Sequence, residues 1–462
     1  MIDILEKING FVWGIPALIL ILGVGLYLSI VTGFAQFTLF PKAFRAFVRQ
    51  LTGSRDGEDG TSPYRALCTA LAATVGTGNL AGVAGAIAIG GPGAIFWMWI
   101  CALLGMTTKF AEATLAVRYR AVNGVGEHVG GPMYMISRGM GSRWKWLASA
   151  YCFFGVIASF GVGNATQINA VIGGINGAVS ALGWRESALG NFLLGVGLAI
   201  LITVLLFGGA KCIGAAAEKL VPFASVCYLL LGATVLVLRA REIPGAFASI
   251  VEGAFSPRAV TGGMLGSAFM SLRVGASRGV FTNEAGMGTA SIAHASARVK
   301  HPVEQGLMGI MEVFLDTIVI CTMTALVILC SGIRIPYGTD TGILLTTQAF
   351  SAVCGDWVSV LIALAVCCFA IATVLGWGLY GARCAQYLFG EGAWRWFVLF
   401  QAATVLFGAV MKTGTVWTLS EIVNGLMAIP NLIALACLSP ELFCLTREYK
   451  KCVRHKSRTQ KN

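Results

Sequence analysis

The sequence predicts an all-α polytopic membrane protein with 11 transmembrane helices: one N-terminal helix, then two five-helix repeats of opposite orientation. Three observations predict it. The 462 residues are 56% hydrophobic and only 12% charged, with a mean hydropathy of +0.78, and that charged share is about half of what a soluble domain carries. Many apolar runs reach the roughly 20 residues that cross a bilayer as a helix, and they do not alternate as barrel strands would. Two of these runs, at corresponding places in the two halves, are interrupted by glycine, threonine and asparagine: "AATVGTGNLAG" at 72–82 and "GVFTNEAGMGTAS" at 279–291.

Taken in order, the first apolar run, 14–33, follows Asp3 and Glu6 and precedes no cleavage-site pattern, so it reads as a retained helix. With the basic loop after it, it makes an N-terminal unit, 1–63. The first repeat, 64–240, holds spans 64–90, 92–117, 146–176, 189–208 and 220–238. The second, 260–440, holds spans 263–293, 304–332, 357–386, 394–411 and 417–438. A basic tail fills 441–462. Lysine and arginine placement orients the chain. With the N-terminus outside and the tail inside, 23 of the 33 basic residues are cytoplasmic and seven are external; three (Lys109, Arg273, Arg278) lie within or at the edge of helices. One span more or fewer would spoil that bias. Topology thus explains the net charge of +12 without a nucleic-acid partner. The 14 cysteines show no CxxC pair and read as small apolar fillers rather than a disulfide or metal framework.

An odd number of helices per repeat forces the second repeat to insert upside down. Paired interrupted helices at matching places are the sequence mark of a secondary transporter's binding site. Backbone groups cannot stay unpaired against lipid, but they can be freed where they line a protected cavity. Freed N–H groups then offer donors to an anion, and freed carbonyls offer ligands to a cation. Gly76 and Gly78 allow the unwound backbone, while Thr77 and Asn79 add side-chain oxygens and an amide. The competing reading, glycine as a packing or turn residue, is preferred for Gly82, Gly85, Gly90, Gly91 and Gly93. Residues 76–81 also match GxGxxA, but that fingerprint needs a strand and a βαβ unit. No nucleophile, base and metal set at one depth suggests an enzyme, and the asymmetric breaks do not resemble a channel's symmetric ring.

Intramembrane polar residues call for partners. Glu284 needs one in Arg278, Arg273 or a helix N-terminus, and serves as a structural clamp or a coupling-ion site. Asp316 and Glu312 stand four apart, as ion relay or structural hydrogen bonders, with the structural role favoured for Glu312. Lys109 and Glu112, three apart, are expected to form a salt bridge on one face. His294 reads as a hydrogen-bonded helix residue, with proton coupling as the other option. Phe281, Thr282, Asn283 and Met287 line the pocket or the core. Asn164 and Asn169 accompany Gln167 in the third helix of the first repeat. The segment 334–356 is an external gate, a short re-entrant helix or a linker.

Residues 69–120, "TALAATVGTGNLAGVAGAIAIGGPGAIFWMWICALLGMTTKFAEATLAVRYR", and 279–297, "GVFTNEAGMGTASIAHASA", resemble the two signatures of the alanine/glycine:cation symporter family, also called sodium:alanine symporters or amino acid carrier proteins. The helix order matches from about residue 12 to 440. The resemblance implies a leucine-transporter-type five-plus-five inverted-repeat bundle. It implies sodium-coupled import of alanine or glycine by alternating access, with proton-coupled symport of the same substrates as the alternative. Na+ is then the coupling ion, with no organic cofactor, and the setting is the lipid of a bacterial-type plasma membrane. The resemblance further implies that Gly76, Thr77, Gly78 and Asn79 meet the substrate carboxylate and that Gln167 assists. Asn79 is alternatively a sodium ligand. Ala72 and Val75 carbonyls, with the Thr74 and Thr373 hydroxyls, would face sodium. Thr373 and Trp377 would line the pocket, the tryptophan limiting side-chain size, beside Phe281 and Met287 where these two line the pocket rather than the core. The chain departs from the family pattern at Tyr64-Arg65, where the family has Phe-Gln, and at Gly85, where it has threonine.

Overall fold

The structure, a computed structural model, describes residues 2–52, 61–181, 183–255, 268–339, 342–410 and 414–459. Residues 263–267, at the expected start of the span 263–293, and residue 411 lie outside them. The chain opens with α1 (Ile2–Val12) and α2 (Ile15–Val31), followed by α3 (Ala35–Thr38) and α4 (Phe40–Thr52). α4 is amphipathic in three directions. Phe40 and Phe47 turn inward, Phe40 meeting the Phe314 ring edge-on at 5.0 Å and Phe47 lying beside Tyr64. Phe44, Val48 and Leu51 are exposed, and Lys42, Arg45 and Arg49 occupy the remaining side.

The first broken helix consists of α5 (Pro63–Thr74), a π-helical turn (Gly78–Gly82) and α6 (Val83–Gly90), bent by 53°. Ser62 caps α5 by accepting the Arg65 N–H at 3.1 Å, with Pro63 at the first helical position. α7 (Gly93–Arg118) follows a turn at Gly91, whose φ of 72° suits glycine. A two-residue hairpin, β1 (Ala121–Val122) and β2 (His128–Val129), leads to α8 (Pro132–Tyr134). α9 (Lys145–Phe160) runs through a π turn, Gly161–Ala165, into α10 (Thr166–Ala181). Then come α11 (Ala188–Phe207), α12 (Gly209–Leu238) and the short α13 (Ile243–Phe255).

The second broken helix is α14 (Ala268–Asn283) with α15 (Thr289–His294). α16 (Pro302–Val313) joins α17 (Thr322–Cys330) through a π segment, Phe314–Cys321. In the segment 334–356 lies a helix, α18 (Ile343–Cys354), whose Thr346 hydroxyl donates to the Leu80 carbonyl in the first break at 3.0 Å. α19 (Val358–Phe389), α20 (Ala393–Val410), α21 (Gly414–Cys437) and α22 (Ser439–Thr459) complete the chain. Among the described residues eight helices are long and apolar enough to cross a membrane, or up to ten if each of two bent pairs is one span. The protein is a multi-pass membrane protein built almost wholly of helix.

Small residues let the helices approach closely, as membrane packing favours. A Cβ at Gly90 would stand 2.9 Å from that of Ala94 and 3.0 Å from that of Val274, and one at Gly93 would collide with the Gly253 backbone. Both glycines are therefore packing residues, as expected. The two broken helices run antiparallel and are tied at both ends. At one face Thr61 bridges to Ala297, with the Arg298 N–H donating to the Thr61 carbonyl at 2.9 Å. At the other the Ser271 hydroxyl donates to the Gly90 carbonyl at 2.6 Å. All 14 cysteines are free.

Candidate binding site at the two helix breaks

α5 stops at Thr74 because Val75 leaves helical geometry, at φ −77° and ψ 93°. Asn79 repairs the gap from within. Fully buried, it accepts the Gly76 N–H on Oδ1 at 2.8 Å and donates from Nδ2 to Asp316 Oδ1 at 2.6 Å. Both ends of its amide are thus engaged by the protein. This meets the requirement that buried backbone donors be paired. Around the same point three other elements converge. The Thr77 hydroxyl donates to Gln167 Oε1 at 2.9 Å, and Gln167 Nε2 donates to the Val162 carbonyl at 3.1 Å. A Cβ on Gly76 would lie 2.6 Å from Thr373 Oγ1 and 3.7 Å from Gln167 Oε1, so only glycine fits there. Gly78 faces the second broken helix, with Thr282 Oγ1 and Phe281 Cδ1 3.7 and 3.9 Å from a Cβ placed on it. Thr74 points its hydroxyl back to the Ala70 carbonyl at 3.4 Å. Ala72 and Val75 are buried in the last turn and the break. Gly76, Thr77, Gly78, Gln167, Phe281 and Thr373 therefore do come together.

At the second break, α14 ends at Asn283 and Glu284 adopts a left-handed backbone, φ 52°, a conformation rare outside glycine. Its carboxylate accepts the Thr289 hydroxyl at 2.5 Å and the Trp377 indole N–H at 2.9 Å. The expected arginine partner is corrected. Arg273 and Arg278 instead line a cavity of about 330 Å³ with Asn9, Trp13 and Phe281. The helix-start option comes nearer, since Thr289 opens α15. Met287 and Trp377 are fully buried.

The expected Lys109–Glu112 salt bridge is also corrected. Lys109 Nζ pairs with Glu312 Oε1 across helices at 3.1 Å. Glu112 Oε1 instead accepts the Gly286 and Gly288 N–H groups, each at 3.0 Å, and Asn431 Nδ2 at 2.7 Å. Convergent backbone N–H groups of an unwound turn form an anion-binding concavity, and here a side chain of the protein fills it. That environment outcompetes an i, i+3 pair worth only a few tenths of a kcal/mol. Glu312 Oε2 accepts the His294 Nε2–H at 2.8 Å, the Gln305 amide donating to Nδ1 at 2.6 Å. Glu312 and His294 are thus members of a buried hydrogen-bonded chain.

Asp316 joins the two breaks. Besides Asn79 it accepts the Thr317 hydroxyl at 2.8 Å, and Thr317 accepts Asn283 Nδ2 at 3.3 Å. Asn164 is spent elsewhere, donating to the Gln401 carbonyl at 2.8 Å. Asn431 was not singled out from the sequence. Its signal was present, an amide just after Pro430 within an apolar run.

The chain matches the sodium:alanine symporter family over residues 1–462. It is 40% identical to the sodium/alanine symporter AgcS of Methanococcus maripaludis, over 97% of each chain. It is 38% identical to the probable sodium/glutamine symporter GlnT of Bacillus subtilis, over 98% of this chain and 92% of that one. Its fold is similar to that of MhsT, solved in complex with L-phenylalanine, with a TM-score of 0.57 at 14% identity, covering 84% of this chain and 99% of that one.

Proposed function

The chain belongs to the sodium:alanine symporter family, whose members are transporters rather than enzymes, and we propose that it imports alanine or glycine together with Na+ by alternating access. The observation that carries this reading is the convergence of both helix breaks on one point. Gly76 lies against Thr373 and near Gln167, and Gly78 lies against Thr282 and Phe281. The substrate carboxylate is assigned to the Thr77–Gly78 backbone with Gln167, and the substrate's small side chain to Phe281, Met287 and Trp377. Na+ is assigned to the carbonyls of Ala72 and Val75 with the Thr74 and Thr373 hydroxyls, since hard cations take oxygen ligands. Asn79 acts mainly by holding the break open, because its own side chain is already bonded to Gly76 and Asp316.

The same reading divides the chain into an N-terminal unit (1–63), two inverted repeats (64–240 and 260–440) and a tail (441–462). It counts 11 spans, with the N-terminus outside a bacterial-type plasma membrane. The antiparallel course of the two broken helices supports the inversion. Uptake of labelled L-alanine into proteoliposomes, under an inward sodium gradient against an equal choline gradient at fixed pH, tests the function. Transient accumulation with sodium alone is expected. Accumulation driven by a proton gradient instead would replace Na+ by H+ as the coupling ion, and accumulation under neither would remove the substrate assignment.

A further inference from the structure

Trp377 is held from two sides by residues that have no place in the proposed binding of substrate or ion. On one side its indole N–H donates to Glu284 Oε1 at 2.9 Å, while Thr289 fixes the other carboxylate oxygen at 2.5 Å. The left-handed backbone of Glu284, φ 52°, aims the carboxylate from the second break across to α19. Backbone strain of this kind gathers where a side chain must be presented in one direction. On the other side lies Gly163, in the π turn between α9 and α10. A Cβ there would stand 2.5 Å from Trp377 Cγ and 2.9 Å from Cδ2. The indole root is therefore seated against bare backbone, about one methyl deeper than alanine would allow. The Tyr380 ring closes the seat edge-on, its centroid 6.0 Å from that of the indole. Thr373, one turn before Trp377, meets Gly76 in the first break, so the face of α19 that carries the indole also carries a residue of the proposed amino-acid site.

We propose that Glu284 and Gly163 form the seat of Trp377 and through it set the size of amino-acid side chain that the carrier accepts. Glu284 is a positioning residue: it touches the indole and not the substrate. The inference rests on reading Trp377 as a wall of the amino-acid site. One methylene of pocket room is worth about 10–200-fold in discrimination, so small changes in this seat have large effects on selectivity.

The test uses the full chain in proteoliposomes, with labelled alanine uptake competed by glycine, alanine, serine, valine and glutamine. E284A frees the indole N–H and is expected to narrow the valine-to-alanine ratio of inhibition constants by about tenfold or more. E284Q keeps an acceptor oxygen and is expected to hold the ratio within about twofold. G163A is expected to push the indole inward and favour glycine over alanine. W377F should loosen selectivity as E284A does, and E284A/W377F no further. Ratios unchanged in E284A and W377F, with only the maximal rate lost, would overturn the proposal, as would E284Q behaving like E284A. Thermal unfolding of wild type, E284A, W377F and the double variant in detergent reads the seat without transport. Non-additivity is expected, and full additivity overturns the seat. Should wild type take up no neutral amino acid, the transport reading fails while this cycle still decides the Glu284–Trp377 coupling.

Discussion

The two helix breaks do the same topological work with opposite chemistry. The first is closed by a neutral amide: Asn79 satisfies Gly76 and reaches across to Asp316. The second is closed by a carboxyl group: Glu112 Oε1 sits in the N–H groups of Gly286 and Gly288, steadied by Asn431. An anion from outside would have to displace Glu112 at the second break, whereas among the described residues no carboxylate accepts from the Gly76–Gly78 backbone in the same way. The difference bears on the proposed site: the backbone of the second break is already liganded from within by Glu112, which supports assigning the substrate carboxylate to the backbone of the first.

The comparison can be broken first at Glu112. E112A strands three buried N–H donors, those of Gly286, Gly288 and Asn431, a loss on the order of 3–5 kcal/mol. A large fall in detergent Tm is expected, with E112Q recovering part of it; an E112A protein as stable as wild type would dissolve the asymmetry. Next comes N79A, expected to cost about 2–3 kcal/mol and to abolish alanine uptake, because Gly76 and Asp316 both lose a partner. Sharper still is Q167A. Its bond to Thr77 is a membrane side-chain hydrogen bond of about 0.6 kcal/mol, so Tm should barely move while alanine uptake falls more than tenfold. Equal and small effects on both would remove Gln167 from the substrate site. The smallest effect is expected far from either break, at Arg118–Glu441. This pair is 2.7 Å apart, but its side chains are 51% and 33% exposed, so R118A should cost under about 1 kcal/mol. Unfolding at low and high salt checks it, since a surface pair should weaken as salt rises.

Much of this architecture was legible because it is local. Glycine, threonine and asparagine inside an apolar run announce a broken helix within a dozen residues, and both breaks fall where the sequence puts them. The pairing of Gln167 and Thr373 around Gly76 followed from family resemblance, not from spacing. Partners of the buried charges were not legible, because they depend on which helices touch. Lys109 and Glu112 are neighbours on one helix, yet each bonds to a different distant element, 174 to 203 residues away along the chain. A charge count held the clue. Lys109 is the one lysine assigned to a span, and Glu312 was an intramembrane acid with no partner named. Of the partners expected for Glu284, the arginines are replaced by Trp377 while the helix start comes nearer through Thr289, because the left-handed turn that swings its carboxylate towards Trp377 leaves no mark in composition.

The ties between the two broken helices carry a mechanical meaning. Thr61 is joined to Ala297 at one face and Gly90 to Ser271 at the other. Two rods pinned together at both ends cannot splay like scissors. A turn as one lever about mid-length, where Asp316 and Thr317 link Asn79 to Asn283, keeps both ties. A disulfide engineered between positions 61 and 297 is accordingly expected to leave uptake intact, because it reinforces a joint that the fold already makes.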